Sequence, residues 1–161
     1  MGAMQSLWND AEAAACRTDL ELRAYTSRLL GQDRSLVLHG GGNTSVKLSV
    51  TSIVGDEEDI LFVKGSGWDL ETIQPAGFSP CRMAHLLKLS RLDSMSDAQM
   101  AAELKNNMTN AGAPAPSVEA ILHALLPFKW VDHTHADVVV ALTNTPDGEA
   151  RIRAVYGNSL V

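Results

Sequence analysis

Two histidines separated by one residue, His133 and His135, are the strongest chemical signal in the sequence. Alternate side chains of a β-strand project to the same side, so both imidazoles can reach one ion. Zinc accepts neutral imidazole nitrogen readily, and a catalytic zinc site uses three protein ligands and leaves one position open. The pair therefore indicates a metal site, but two histidines at a surface or at the edge of a core fit the same pattern.

A carboxylate lies upstream of the histidine pair, on a segment with helical periodicity. Glu119 precedes His123 by four residues, which is one helical turn. Beside a divalent cation, a carboxylate can accept a proton or act as a temporary ligand. Taken alone, Glu119 and His123 also fit a polar pair on a solvated helix face, and Ser117 fits a helix N-cap.

Two glycine-rich turns, at 40–43 and 65–67, form a third group of interest. Glycine allows backbone amides to approach an anion closely. Neither turn has the spacing of a phosphate loop or of a dinucleotide-binding fingerprint. Each also fits an ordinary hairpin turn, so an anion site here is one of two interpretations.

Hydrophobic periodicity and turn residues predict the elements that position these groups. We expect strands at 44–50, 60–64 and 130–135, with the first two forming a hairpin, and a further buried element at 138–142. We expect Gly31 to end the first helix and Ser79 to cap the second. The predicted helices are 6–30, 80–92, 97–108, 117–126 and 145–157. This order predicts an α/β domain with a central, mainly antiparallel or mixed β-sheet flanked by helices.

The length of 161 residues and the 45% hydrophobic content predict one globular domain. The formal charge of −6 argues against binding to nucleic acid, which requires clustered Lys and Arg. No apolar run approaches the ~20 residues of a membrane span, so we expect a cytoplasmic protein without membrane contact. The two cysteines, Cys16 and Cys81, are far apart, and we expect reduced, buried thiols in helices.

Taken in order, these segments resemble the class II aldolase/adducin family. Residues 42–45 are similar to its Gly-Asn-x-Ser turn, and 64–67 to its Thr-x-x-Gly turn. Residues 117–119 are similar to its Ser-Ser-Glu step, and 133–135 to its metal-binding His-x-His. Longer runs are most similar to the aldolase part of the rhamnulose-1-phosphate aldolase/short-chain dehydrogenase fusion proteins. These runs are 38–47, 63–70 and 116–136.

The resemblance implies that His133 and His135 bind Zn²⁺ or another divalent metal, and that Glu119 handles the proton. It implies a lyase that cleaves a ketose 1-phosphate, such as rhamnulose 1-phosphate, into dihydroxyacetone phosphate and an aldehyde. It also implies a homo-oligomer, which in the family is a tetramer. The bound partner molecule that it implies is a small sugar phosphate. The residues that it places around the phosphate are Gly42, Asn43, Ser66, Gly67 and Ser117.

The sequence departs from the family pattern in three respects. The family's third zinc histidine lies downstream of the matched region, and no histidine follows His135. Val118 replaces a serine and Gly40 stands where threonine is common. Two hydroxyl groups that could donate hydrogen bonds to a phosphate are therefore missing. The dehydrogenase part of the fusion proteins is absent. We therefore expect 1–161 to form one class II aldolase-like domain, shortened at its C-terminus and weak or inactive alone.

Two other functions fit the same motifs. One is a non-catalytic interaction module like the adducin head, which keeps the fold without the metal site. The other is a sugar-phosphate epimerase or dehydratase on the same scaffold. His133, His135 and Glu119 argue against the first, because a purely structural relative has no need for all three.

Overall fold

A four-stranded antiparallel sheet forms the centre of the structure, a computed structural model that describes residues 5–157. Its strands are β1 (Asn43–Thr51), β2 (Glu57–Lys64), β3 (Phe78–Arg82) and β4 (Trp130–His133). They lie side by side in the order β3-β2-β1-β4, and β1 and β2 form the predicted hairpin. The α/β class with an antiparallel sheet is confirmed.

Helices surround the sheet, and capping boxes begin two of them. Thr18 with Glu21 caps α2, and Ser96 with Gln99 caps α4, which satisfies amide groups that a helix leaves unpaired at its start. In the part of the chain that the structure describes, no helix is both long and apolar enough to cross a lipid bilayer. The helices are α1 (Asp10–Ala15), α2 (Asp19–Gln32), α3 (Met83–Leu89), α4 (Asp97–Asn106), α5 (Ala120–Leu125), α6 (Asp137–Thr143) and α7 (Gly148–Tyr156).

Apolar side chains cover both faces of the sheet. On one face, Leu61 and Val63 of β2 belong to a buried cluster that includes Leu86 of α3 and Ala120 of α5. On the other face, Phe62 packs against a second cluster with α2 and the turns that follow β2. Alternation along β2 therefore supplies two apolar layers, and these layers fix the positions of the strand ends.

The predicted helix 6–30 is two helices, and Gly31 lies inside α2 instead of ending it. A Cβ atom on Gly31 would lie 2.1 Å from the backbone nitrogen of Glu71. The missing side chain lets α2 pack directly on the backbone of the 3₁₀ turn Leu70–Thr72. The helix ends at Gln32, with Asp33 as its C-cap, so the glycine serves packing and not termination.

Ser79 and Pro80 were predicted to open a helix, but both lie in β3, as does Cys81. β3 is an edge strand, where proline is tolerated because its missing N–H is not needed for pairing. The buried hydroxyl of Ser79 donates to the carbonyl of Pro114 at 2.6 Å. Burial raises the pKa of Cys81 to about 12, so this thiol remains protonated. Helix α3 begins at Met83, after the strand.

Residues 138–142 were predicted to be buried, but they belong to α6, which has no buried residue. Val138 is 68% exposed. An apolar run of this length indicates an element without indicating what covers it. Several boundaries also differ from prediction; among them, β4 ends at His133, α4 ends at Asn106, and α5 begins at Ala120. The prediction that the last helix ends near Gly157 is confirmed, since α7 ends at Tyr156 and Gly157 is its C-cap.

Candidate active site

A cleft of about 510 Å³ opens at one end of the sheet, where β1 begins and where β2 and β4 end. These three strands converge there because their pairing is antiparallel. The cleft is lined by the eight residues to which the family resemblance assigned a role: Gly42, Asn43, Ser66, Gly67, Ser117, Glu119, His133 and His135.

Strand pairing brings the first of these residues together. Asn43 of β1 lies opposite His133 of β4, so their side chains share one face of the sheet. Gly42 makes this pairing possible. Its φ is +68°, and a Cβ atom there would lie 2.4 Å from Val37 Cγ1 and 2.8 Å from the carbonyl oxygen of His133. A side chain at this position would push β4 away from β1.

Glu119 reaches the cleft through backbone hydrogen bonds between two loops. The amide of Ser117 donates to the carbonyl of Lys64 at 3.1 Å, and the amide of Ser66 donates to the carbonyl of Ala115 at 2.8 Å. Glu119 then occupies the N-cap position of α5, and its amide donates to the hydroxyl of Ser117 at 3.3 Å. The glycine turn 65–67 and the carboxylate are thereby held in one assembly.

The carboxylate of Glu119 forms the centre of a polar cluster with Asn43 and His133. Its Oε2 accepts a hydrogen bond from Asn43 Nδ2, and it lies 2.6 Å from His133 Nδ1. Burial alone would raise the pKa of Glu119, but the hydrogen bonds from Asn43 and His133 outweigh it and hold the pKa below its ordinary value. The group is therefore an ionised acceptor at neutral pH.

This charge state fixes the tautomer of His133. An ionised carboxylate can only accept, so His133 Nδ1 must carry the proton and donate it to Glu119. Asn43 Nδ2 lies 3.3 Å from His133 Nδ1 because both atoms donate to the same oxygen. In a neutral imidazole with this tautomer, Nε2 keeps a lone pair. Carboxylate-bound imidazoles of this kind are typical metal ligands.

The donor types in the cleft fit a divalent cation. His133 offers Nε2, and the ring of His135 lies 4.8 Å from the ring of His133, measured between centroids. The amide of His135 is held by the carbonyl of Leu36 at 2.9 Å, which anchors this residue beyond the end of β4. Within residues 5–157, however, no three His, Cys, Asp or Glu side chains are arranged to hold a metal ion. The structure thus provides two histidines and an adjacent carboxylate.

Lys64 lines the cleft but was assigned no role from the sequence. It is the one Lys or Arg among the described lining residues, and it is buried. Its ammonium group lies 3.4 Å from the carbonyl of Gly40. Burial lowers its pKa, and the nearby carboxylate of Asp69 partly opposes this effect. A charged residue that ends a buried strand directly before Gly-Ser-Gly was the signal available in the sequence.

His123 is a second residue whose role differs from the sequence interpretations. It does not form a solvated pair with Glu119, because its side chain is only 1% exposed. Its Nδ1 lies 2.8 Å from the hydroxyl of Ser45, two residues beyond Asn43 on β1. Burial lowers the pKa of His123 to about 4, so the ring is neutral at pH 7. His123 and Ser45 form a neutral buried pair that ties α5 to β1.

Comparisons with known proteins identify relatives of this chain. A Bacillus subtilis (strain 168) protein named as the uncharacterized oxidoreductase YuxG is 36% identical over 158 residues, which are 98% of this chain and 23% of that protein. The chain thus spans less than a quarter of the length of this curated relative. A longer relative named as an oxidoreductase fits the expected likeness to aldolase/dehydrogenase fusion proteins.

A solved structure and a family match complete the comparison. The N-terminal class II aldolase domain of a conserved protein from Thermoplasma acidophilum is 42% identical, with a TM-score of 0.86. The match covers 97% of this chain and 71% of that one. Residues 21–158 match the family described as class II aldolase and adducin N-terminal domain. On its sequence, its fold and the contents of its cleft, the chain belongs to the class II aldolase and adducin N-terminal domain family.

Proposed function

We propose that this domain carries the proton-transfer and metal-binding part of a lyase that cleaves a ketose 1-phosphate, such as rhamnulose 1-phosphate. The products would be dihydroxyacetone phosphate and an aldehyde. The observation that carries the proposal is the convergence of Glu119, His133 and His135 in one cleft with two glycine turns. A purely structural domain has no need to place an ionised carboxylate against an imidazole at an open cleft.

Glu119 is the proton carrier in this proposal. Its Oε2 is committed to Asn43 and His133, which leaves Oε1 as the oxygen that takes a proton from the substrate or returns one. Because both donors also lower the pKa of Glu119, the carboxylate is in the correct ionisation state to act as a base at neutral pH. The hydrogen bond from His133 keeps the carboxylate oriented during this transfer.

His133 and His135 would hold the divalent cation through their imidazole nitrogens, at the C-terminal end of β4. When bound, the cation would supply Lewis-acid stabilisation of the negative charge that develops on substrate oxygen. Zinc is the ion that this pair of donors favours first, since imidazole nitrogen is among its usual ligands. Two protein ligands alone would hold it less firmly than the three of a usual catalytic site.

Lys64 and the turn 65–67 would bind the phosphate group. Lys64 brings a positive charge to a cleft in which Gly40 and Val118 supply no hydroxyl donor. The amides of the glycine turn add uncharged donors. This division predicts that anion binding depends on ionic strength, because one ammonium group contributes most of the attraction.

The proposal is tested by proton exchange and by metal content. In ²H₂O with zinc, the chain should exchange a carbon-bound proton of dihydroxyacetone phosphate, slowly but faster than Glu119→Gln does. About one zinc should bind per chain and be lost in His133→Ala. His85→Ala is the matched control, since His85 pairs with Glu103 and is absent from the residues that line the cleft.

Three outcomes would count against the lyase. If the zinc-loaded chain neither exchanges this proton nor cleaves rhamnulose 1-phosphate, the reaction is wrong. If it converts a sugar phosphate without releasing dihydroxyacetone phosphate, an epimerase or dehydratase is favoured. If no metal binds after zinc loading, the non-catalytic module is favoured.

A further inference from the structure

Three polar contacts, which we call the polar ladder, join α5 to β1 in regular steps. Alternate residues of a strand share one face, and two residues along β1 advance about 6.6 Å. Four residues of an α-helix advance about 6 Å, so the helix and the strand stay in step. From the start of the helix to its end, the contacts are Asn43 Nδ2 with Glu119 Oε2, Ser45 Oγ with His123 Nδ1, and Lys47 Nζ with the carbonyl oxygen of Leu126.

The apolar packing of α5 does not by itself determine its position along β1. The buried apolar residues of the helix are two alanines, Ala120 and Ala124, which join the cluster that contains Leu61 and Val63. Hydrophobic attraction has no direction, so these contacts hold the helix on the sheet without preventing it from sliding. A helix of six residues is also too short to be stable alone. Its register is therefore left to the directional contacts of the polar ladder.

The middle contact of the polar ladder, between Ser45 and His123, is the most deeply buried one. Both residues are buried, and Ser45 Oγ lies 2.8 Å from His123 Nδ1. Nε2 of His123 is buried too, but it makes no hydrogen bond within residues 5–157. A buried polar atom without a partner lowers stability, and two apolar side chains of similar shape would avoid this loss. Stabilisation alone therefore explains this pair poorly.

We propose that His123 and Ser45 are positioning residues for the carboxylate of Glu119. The amide of His123 donates to the carbonyl of Glu119 at 3.0 Å, so the two residues move together within one helical turn. Ser45 follows Asn43 by two residues, on the same face of β1. Holding His123 on Ser45 thus holds Glu119 against Asn43 and His133. The catalytic consequence rests on the proposed function, whereas the position of the carboxylate does not.

The test removes both partners of the pair at once, in Ser45→Ala/His123→Leu. Because no polar atom of the pair is then left unpaired, the free energy of unfolding should stay at the wild-type value or rise. In the zinc-loaded exchange reaction, kcat should nevertheless fall about 10- to 100-fold, since a displacement of about 1 Å is enough for such a loss. KM should change little, because Lys64 and the turn 65–67 follow β2 and not α5.

A signal from the metal-free protein reports the same displacement without any activity. In the wild type, the side-chain amide of Asn43 should exchange its bonded hydrogen slowly, because that hydrogen is donated to Glu119. In Ser45→Ala/His123→Leu this exchange should become faster. His123→Asn is the conservative variant, since its amide group can replace Nδ1 at Ser45. It should restore the slow exchange and keep kcat close to the wild-type value.

Ser27→Ala/Thr44→Val is the matched control. Ser27 Oγ lies 2.7 Å from Thr44 Oγ1, both residues are buried, and neither lines the cleft. This pair joins α2 to the opposite face of β1, so its removal should leave kcat and the Asn43 signal as in the wild type. Ser45→Ala alone serves as a second test variant if Ser45→Ala/His123→Leu does not fold. It removes only a hydroxyl group and should show the same loss of kcat and the same faster exchange.

Two results would overturn the inference. One is a test variant in which both kcat and the Asn43 signal stay as in the wild type. The other is an equal loss of kcat in Ser27→Ala/Thr44→Val, which would mean that any buried polar pair on β1 has this effect. If the wild type exchanges no proton of dihydroxyacetone phosphate, the proposed function fails. The Asn43 signal of the metal-free protein then still decides the role of His123 and Ser45.

Discussion

Acidification should destabilise the domain through His123, whose imidazole is buried without charge. In the folded state its pKa is lowered from 6.5 to about 4, chiefly by burial. The carboxylate of Glu119 opposes this shift and His133 adds to it; more weakly, Asp132 opposes it and Lys47 adds to it. Between the two pKa values, His123 therefore binds a proton in the unfolded chain but not in the folded chain. Stability is complete above the unfolded pKa and is lost as the pH falls towards the folded value.

The expected loss follows from the two pKa values. Between about pH 7 and about pH 5, the proton uptake of the unfolded state should lower the free energy of unfolding by about 2 kcal/mol. Small domains are stable by only about 5–15 kcal/mol, so this loss is large enough to measure. Glu119 contributes in the same direction at lower pH, because its pKa is also lowered in the folded state.

Urea unfolding of the metal-free protein at several pH values would measure the effect, with His123→Asn as the test variant. Asparagine can still bond to Ser45 but does not titrate. The variant should therefore lose about 2 kcal/mol less than the wild type over this pH range. His85→Asn is the control for the loss of an imidazole, since His85 is partly exposed and pairs with Glu103. Parallel losses in the wild type and in His123→Asn would refute the reasoning.

Two further predictions concern stability, each measured by urea unfolding. Gly42→Ala should lower the free energy of unfolding by about 3 kcal/mol, because it adds steric overlap to an unfavourable φ. Gly55→Ala should lower it by about 1 kcal/mol, because Gly55 has φ +92° but open space around it. Equal losses would contradict this account. Asp132→Ala should cost about 3 kcal/mol, because it leaves the buried guanidinium of Arg23 without its carboxylate partner at 2.7 Å. Arg23→Met should lower the free energy of unfolding less than Asp132→Ala does, because the side chain of Asp132 is 47% exposed and water can solvate it. A larger loss in Arg23→Met than in Asp132→Ala would contradict this reasoning.

The sequence predicted the site better than it predicted the elements that hold it. Residue type and order brought His133, His135, Glu119 and the glycine turns into one hypothesis, and the structure places them in one cleft. Their chemical roles remain predictions. Pattern reasoning succeeded here because the motifs combine unusual residue types with fixed spacing, which few other arrangements produce.

Local pattern failed where tertiary packing decides the outcome. Ser79-Pro80 has the form of a helix start, yet pairing with β2 makes it an edge strand. Gly31 has the form of a helix end, yet it is needed for the close approach of Glu71. His123 has the spacing of an exposed partner for Glu119, yet it faces Ser45 inside the protein. In each case the deciding contact comes from a segment far away in sequence.

The position of β4 at the edge of the sheet has a dynamic consequence. This four-residue strand is paired on one side only, by β1, so it should open more often than the central hairpin does. Opening would carry His133 away from Asn43 and Glu119 and disassemble the site without unfolding the domain. A ligand that binds His133 would therefore slow amide hydrogen exchange in β4 first and leave exchange in β2 nearly unchanged. Ligand binding at the site and opening of β4 should therefore be coupled.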